Sequence, residues 1–600
     1  MANTNTNFQK HPEYKKQMKH LADLITKDQT GKGKFSVIGV EAGVGKSRET
    51  DKAIARYLNN VMEWDRKFLI VKRFQEDVYE SAARINRLCK NHHVAIGITQ
   101  DEWRQFLKGQ DFSRIEMYQV VIITHVRYRS LSQQSQEYFR AFFEKGRHTL
   151  IIDEQLEVPV LSYNDRTFGN ILSCLNYEFK DMLDELCKPL QNELKRLKQD
   201  AKSNYLHMAF PIVENRLIRE FEEFINAHYF LNDNHKNEVR TFIDFLYNLE
   251  TVTCLYNPAF NGIGARISSL CLGLDRWTLQ NNIILDASAG LDKRYDYSND
   301  MKTDIQPNFV DHYNFTFNHV RFNSSRANKS KTEDFYPKIT ALIREKCNAG
   351  DKVLVVTHEN DEKTVIQHLQ AQGYKFGSDR MGRDIAVAHF GEIIGKNRWK
   401  DFNQVWIIAS PNIPVEVYPL YWCFFAQQPI TDENLYLKRT DGKFGFTEQK
   451  FEDIRIGCLV SDIYQAIKRI DREVKRQSQI NIVASDDEVV TQVKNQLQNV
   501  NVGWTIELDV KYKEGKKKNE PGRRGRRSNR IDEMKNLLLY ELEPGEHQKK
   551  DLYDRLGWKS NGKTGSIWTK PEITKLDTQE IIKISKHTIV KQAINTLISA

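Results

Sequence analysis

Val40-Glu41-Ala42-Gly43-Val44-Gly45-Lys46-Ser47 follows directly on Phe35-Ser36-Val37-Ile38-Gly39, a run that reads as a buried strand. Gly43 and Gly45 let the backbone come close to an anion. A helix opening at Lys46 would aim its free amides and its dipole at the same point. Lys46 is placed to reach the outer phosphates of a nucleotide, with Val44 between the glycines, and Ser47 to ligate magnesium. The bland alternative, a glycine turn ahead of a helix, leaves the Gly-Lys-Ser triplet after an apolar strand unexplained. Val40 stands where the usual pattern has its first glycine, with Gly39 just before it.

Two further stretches give the loop a context. Leu150-Ile151-Ile152-Asp153-Glu154-Gln155 is an apolar strand ending in two carboxylates. Asp153 can hold magnesium through water, and Glu154 can polarise the attacking water. Gln465-Ala466-Ile467-Lys468-Arg469-Ile470-Asp471-Arg472 lies far downstream. Spacings of four and three predict one helix face bearing Gln465, Arg469 and Arg472. Arginines in that position can stabilise charge on a transferring phosphoryl group. Alone, this last stretch also reads as a solvated basic helix. The order of the three predicts nucleotide hydrolysis between two domains.

Around these motifs apolar runs of strand length alternate with helix-compatible segments. Phe68-Leu69-Ile70-Val71, Val120-Val121-Ile122-Ile123 and Thr149-Leu150-Ile151-Ile152 belong to a first α/β domain over 1–300, which Ile283-Ile284-Leu285 completes. The pattern predicts a parallel sheet covered on both faces. Between Gly169 and Gly262 no glycine occurs, and Leu186, Leu190, Leu194 and Leu197 recur at helical spacing, so a helical insertion is expected over about 160–275. Val353-Leu354-Val355-Val356, Val405-Trp406-Ile407-Ile408 and Ile480-Asn481-Ile482-Val483 predict a second α/β domain over 301–508. A basic linker, 509–530, and a small unit, 531–600, follow. A helix over Lys549–Leu556, a second short helix near Gly565–Lys570 and a ribbon over Ile581–Ile584 and Thr588–Val590 give that last unit a winged-helix-like pattern. Trp558, Lys559, Lys563 and Trp568 could touch DNA there, both tryptophans being equally good core residues.

The net charge of +9 is concentrated. Residues 511–530 carry ten Lys or Arg against two Glu, a net of +8. Arg523, Arg524, Arg526 and Arg527 are the core of that cluster and are candidates for phosphate contacts on a nucleic acid, which add salt-dependent affinity without sequence information. The longest apolar stretch, Val417–Ala426, is too short for a membrane span and contains Pro419. With no signal-like apolar start, a cytoplasmic protein is expected. The 8 cysteines form no C-x-x-C pair and are expected as buried free thiols.

In this set of motifs the chain resembles superfamily 2 helicases, which have two RecA-like P-loop domains. The resemblance covers residues 10 to 490. It makes the three stretches above motifs I, II and VI, with Lys468 in place of the motif VI glycine and Gln155-Leu156 in place of the usual Ala-His or Ala-Asp. It implies ATP and magnesium as cofactors. It gives Gln17, in His11–Gln17, the role of the adenine-recognising glutamine. Lys72-Arg73 resembles motif Ia, and with Thr124-His125 and motif IV Thr357-His358 it implies a track for a bound strand. Asp286-Ala287-Ser288-Ala289 resembles motif III, and Gly395-Lys396-Asn397 motif V, implying nucleotide contacts from Gly395 and Asn397. The insertion is similar in position to the arch of the DinG and XPD branch. Only Cys89 lies between Lys46 and Asp153, so that branch's iron–sulfur cluster is not expected. The implied activity is an ATP-driven helicase or translocase, with DNA as the expected partner and RNA still open. The competing reading is an ATPase switch or remodeller that works with a replication or defence partner protein and unwinds nothing.

Overall fold

Apolar residues dominate the central strands of both sheets, as strands buried on both faces require, with Asn318 and Asn481 buried as a hydrogen-bonded pair in the second. The computed structural model describes residues 10–513 and much of 534–591. It leaves out 28–29, 61–65, 110, 133–136, 157, 176–178, 202–204, 229–232, 250–252, 259–263, 271–276, 378–379, 394–397, 431–433, 438–443 and 472–475, and later 535–536, 539–541, 557–565, 570 and 579–581. Two units result, Met1–Lys511 and Tyr512–Ala600.

Strands are numbered along the chain. The first lobe is built on β1 (Phe35–Gly39), β2 (Lys67–Lys72), β3 (Ala95–Ile98), β4 (Val120–Thr124), β5 (Arg147–Asp153), β10 (Asn281–Leu285) and β11 (Met301–Ile305). They form one parallel sheet in the order β11-β1-β10-β5-β2-β4-β3. The second lobe has β12 (Phe315–Arg321), β13 (Val353–Thr357), β14 (Ile385–His389), β15 (Gln404–Ile407), β17 (Ser478–Ala484) and β18 (Asn501–Glu507). These are again all parallel, in the order β14-β13-β15-β17-β12-β18. Both are RecA-like sheets, and every strand run expected for the two α/β domains lies in them.

The insertion holds its expected helices, Lys180–Asp200 among them with the leucine stripe buried, and something beyond them. Strands β6 (Val160–Asn164), β7 (Tyr205–Ala209), β8 (Cys254–Asn257) and β9 (Arg266–Leu270) form an antiparallel sheet. Its fifth strand, β16 (Asn434–Tyr436), comes from the second lobe and pairs with β7. The helix Val417–Ala426 leads toward that strand. It is apolar all round, and Tyr418, Leu420 and Phe425 join Tyr128, Leu206 and Trp277 in one buried cluster. Glu416, just ahead of that helix, accepts from Asn257 Nδ2 at 2.6 Å and pairs with Arg266. The lobes are therefore joined twice, by the linker after β11 and by this shared module. No helix among the described residues is long and apolar enough to cross a membrane.

The second unit has its own core of Leu552, Tyr553, Ile573, Ile582 and Ile589, among others. The expected ribbon, Ile582–Ile584 and Thr588–Lys591, gains a third strand, Gly545–Gln548. Helices Lys549–Arg555 and Pro571–Thr578 pack with it, and the second short helix expected from the sequence is a 3-10 turn over Ser566–Thr569. Trp568 is core, its indole N–H donating to the Tyr553 hydroxyl. Trp558, Lys559, Lys563 and the arginines of 523–527 lie outside the described residues.

Candidate active site

Adjacent strand ends build half of the site. In the order β1-β10-β5-β2 they deliver the phosphate loop, Asp286-Ala287-Ser288, Asp153-Glu154 and Lys72-Arg73 to the carboxyl edge of the sheet, where open α/β folds bind ligands. Gly43 and Gly45 have φ of +84° and +99°, the left-handed region that glycine enters without strain. Both glycines are exposed, and a Cβ on Gly45 would meet nothing within 4 Å, so the loop faces open space. Val44 is buried beneath it. Lys46 heads the helix Lys46–Asn60 and donates to the Val40 carbonyl at 2.8 Å. Burial drops its pKa to about 8, against the pull of Asp153, Asp286 and Glu154.

The Ser47 hydroxyl lies near enough to the Asp153 carboxylate to lower its pKa, so the two expected magnesium ligands are neighbours. Burial alone would raise Asp153. Lys72, donating from Nζ to Oδ2 at 2.7 Å, and the neighbouring Ser47 hydroxyl instead hold it below the ordinary carboxylate range. Glu154 sits at φ +78°, unusual for a side-chain-bearing residue and pinned by its amide bond to the Leu285 carbonyl at 3.1 Å. Burial raises its pKa to about 7, opposed chiefly by Arg469, and its Oε2 is buried with no hydrogen-bond partner.

The other half comes from the second lobe. The helix Gln449–Ile467 ends beside the first lobe, where Gln465 donates from Nε2 to Ser288 Oγ at 3.2 Å. Ser288 in turn donates to Asp286 Oδ1 at 2.6 Å. Arg469 acts electrostatically on both Lys46 and Glu154, and its Nε is buried without a partner. The expected continuous helix through Arg472 is not what forms. The helix is capped at Lys468, and Arg469 lies in the following turn. Asp471, at φ +31°, then diverts the chain, bonding through its amide to Phe402 O at 3.0 Å and accepting from Ser478 Oγ at 2.9 Å. Arg472 itself, like Gly395 and Asn397, lies outside the described residues.

The remaining sequence candidates are placed as follows. Gln17 is buried in the helix Pro12–Thr26, donates to Pro307 O at 2.8 Å and keeps Oε1 unpartnered. Lys72 and His125, expected along a bound strand, are only 3% and 4% exposed and serve Asp153 instead, His125 through a 3.1 Å bond to its carbonyl. The cause is register, since β2 pairs with β5 so that Lys72 comes level with Asp153, and β4 ends level with β2 one strand further along the sheet. Thr124 accepts from the Arg127 amide at 3.1 Å and opens a helix. Thr357 is fully buried with an unpartnered hydroxyl, and Arg73 is half-buried with its charge felt at Glu154 and Asp462. A buried set that the motifs did not signal lies beneath the site. Arg294 bonds Asp292, Tyr295 donates to Asp286 at 2.9 Å, and Asp462, on the helix Gln449–Ile467, is raised by burial to about 7. Only the acidic spacing of residues 286 to 296 hints at it.

Two parallel RecA-like lobes thus present phosphate loop, acidic strand end and arginine turn to one cleft. No protein-family model and no curated protein matches the chain. Among solved structures it is similar to S. cerevisiae Dbp5 bound to RNA and ADP BeF3, at 10% identity over 83% of this chain and 94% of that one, with a TM-score of 0.37. It is similar to Mss116p bound to ssRNA and AMP-PNP, at 10% identity over 98% and 94%, TM-score 0.32. It is also similar to the DUF1998 helicase MrfA bound to DNA, at 9% identity and TM-score 0.37, covering 96% of this chain but 57% of that one.

Proposed function

We propose that this protein hydrolyses ATP in the cleft between its lobes and uses the cycle to move on a nucleic-acid strand, with DNA as the substrate favoured by its basic linker. The observation that carries the reading is that Arg469 of the second lobe lies within electrostatic reach of Lys46 and Glu154 of the first, with Glu154 Oε2 and Arg469 Nε buried and unpartnered. Unpaired polar atoms in an enclosed site are costly unless a ligand completes them. Lys46 and the loop amides would bind the phosphates. Glu154 would orient and deprotonate the attacking water, and Arg469 would stabilise charge on the transferred group. Ser47 and Asp153 fit a magnesium ion, which supplies charge neutralisation on the phosphate oxygens. Gln465, held on Ser288, is suited to report the state of the cleft to the acidic layer below. Arg472, Gly395 and Asn397 remain candidates for the same nucleotide. Arg73, Thr124, Thr357 and the 523–527 arginines remain candidates for the strand, while burial and bonding to Asp153 favour a supporting role for Lys72 and His125.

The second reading, a nucleic-acid-gated switch acting with a replication or defence partner, has one observation in its favour. The shared module ties the lobes at a second point and restricts how far they can swing. Steady-state ATP turnover with and without single-stranded DNA or RNA tests the first claim. Strand displacement on duplexes tailed with either polarity separates motor from switch. Turnover indifferent to every nucleic acid would remove both.

A further inference from the structure

Lys468 stands where the resemblance calls for glycine, and a lysine there demands an account. It caps the helix Gln449–Ile467 and is 8% exposed. Its Nζ crosses the cleft to Glu41 Oε1 at 2.9 Å and reaches His312 Nε2 at 3.0 Å. Glu41 is the second residue of the quoted phosphate loop and is 2% exposed. Its other oxygen, Oε2, accepts from the amides of Phe309 and Val310 at 3.1 and 3.0 Å. Those residues belong to the linker between the lobes. An ammonium only donates, so His312 accepts through Nε2 and is neutral. Burial, with Lys468 adding to it, keeps it so.

One carboxylate therefore ties together three parts that must move in concert: the phosphate loop, the linker and the turn that carries Arg469. A buried charge left without its partner is strongly unfavourable. Separation of the lobes would leave both Glu41 and Lys468 in that condition or force them into water. Glycine at this position could make no such tie.

We propose that Lys468, Glu41 and His312 form a clasp that positions Arg469 over the phosphate loop, with Lys468 and Glu41 as positioning residues for hydrolysis. The clasp rests on the ATPase reading for its catalytic consequence, though not for its geometry. Nucleotide entering the loop shifts Glu41, and through Lys468 that shift reaches the adjacent arginine directly. No relay through the bound strand is needed.

The test uses the full chain and three variants, Lys468→Met, Lys468→Arg and the double variant Glu41→Gln/Lys468→Met. ATP turnover is read as kcat and KM separately, and hydrogen exchange at the Phe309 and Val310 amides is read without nucleotide. The clasp predicts that Lys468→Met lowers kcat about tenfold with KM changed less than threefold, and speeds exchange at both amides. It predicts that Lys468→Arg keeps at least a third of wild-type turnover. The double variant buries no unpaired charge and folds even where Lys468→Met does not. The clasp predicts that it stays slow. Wild-type kcat in the double variant would show that only charge burial mattered and would overturn the proposal, as would unchanged exchange in Lys468→Met. If the wild type hydrolyses no ATP under any condition, the functional reading fails, and the amide exchange still decides the clasp.

Discussion

Gly457 sits midway along the helix Gln449–Ile467 that leads into the Arg469 turn, where that helix crosses the first lobe. A Cβ there would lie 2.7 Å from Leu291 O and 3.0 Å from Lys293 N. Both are backbone atoms of the segment that follows motif III, so neither can rotate away. Ordinary contact begins near 3.4 Å, and Gly457→Ala must therefore lift the helix by about 0.7 Å. From Gly457 to Ile467 the helix runs about 15 Å at 1.5 Å per residue and transmits a rigid displacement to the Arg469 turn. A misplacement approaching 1 Å in a catalytic constellation costs up to about a hundredfold in rate. We expect kcat to fall between about tenfold and a hundredfold, with ATP affinity unchanged because the phosphate loop is untouched. The stability cost is small. Overpacking of about 1–3 kcal/mol is offset by about 1 kcal/mol of helix propensity gained over glycine. Steady-state turnover beside fluorescent-nucleotide binding and thermal unfolding reads all three quantities. Wild-type kcat in a folded Gly457→Ala protein would refute the claim that close approach of this helix sets the site.

Single residues carry the remaining predictions. Glu154→Gln should cut turnover by about 10²–10⁴ while nucleotide still binds, and retained turnover would move the water-orienting role elsewhere. Lys72→Met should destabilise the fold by about 3–5 kcal/mol in denaturant titration, because Asp153 is left buried and unpaired; a neutral result would mean that the pair is dispensable. Asp462 is raised to about 7 from an ordinary value of 3.8, so the folded state holds its proton more tightly than the unfolded one. Its stabilising contribution is full below about pH 4 and is lost as pH rises to 7. Asp462→Asn should therefore become the more stable protein toward neutral pH, by up to about 4 kcal/mol, and parallel pH–stability curves would contradict the effect of burial. Replacing Arg523, Arg524, Arg526 and Arg527 by alanine should flatten the salt dependence of duplex-DNA affinity by about 0.9 for each phosphate no longer neutralised; an unchanged slope would release the linker from that role.

The central strands of the two main sheets were legible because they are buried on both faces, while the exposed edge strands Met301–Ile305 and Asn501–Glu507 offer no such run. Runs such as Val120–Ile123 and Leu150–Ile152 announce themselves without alternation. The motif stretches stand out in the sequence because phosphate chemistry restricts what can follow such strands, and the fold brings the phosphate loop and Asp153-Glu154 to one sheet edge. What stayed hidden depends on contacts between distant segments. Nothing in Asn434–Tyr436 signals that it completes a sheet with Tyr205–Ala209, and three residues are too few for a period. Lys72-Arg73 reads as a polar pair offered to a strand of nucleic acid, and only the neighbouring positions of β2 and β5 turn Lys72 onto Asp153. Lys468 reads as a missing glycine until Glu41 is found opposite it. The helix spacing predicted one face from Gln465 through Arg472, and the helix instead ends at Ile467, because Asp471 turns the chain through bonds to Phe402 and Ser478.

The most direct measurement compares ATP turnover, with and without single-stranded nucleic acid, in the wild type and in Arg469→Ala. The account predicts turnover that nucleic acid raises several-fold in the wild type, and its loss by about 10³-fold or more in the variant, with nucleotide binding at Lys46 retained. Turnover at the wild-type rate after removal of Arg469 would contradict a site assembled from both lobes.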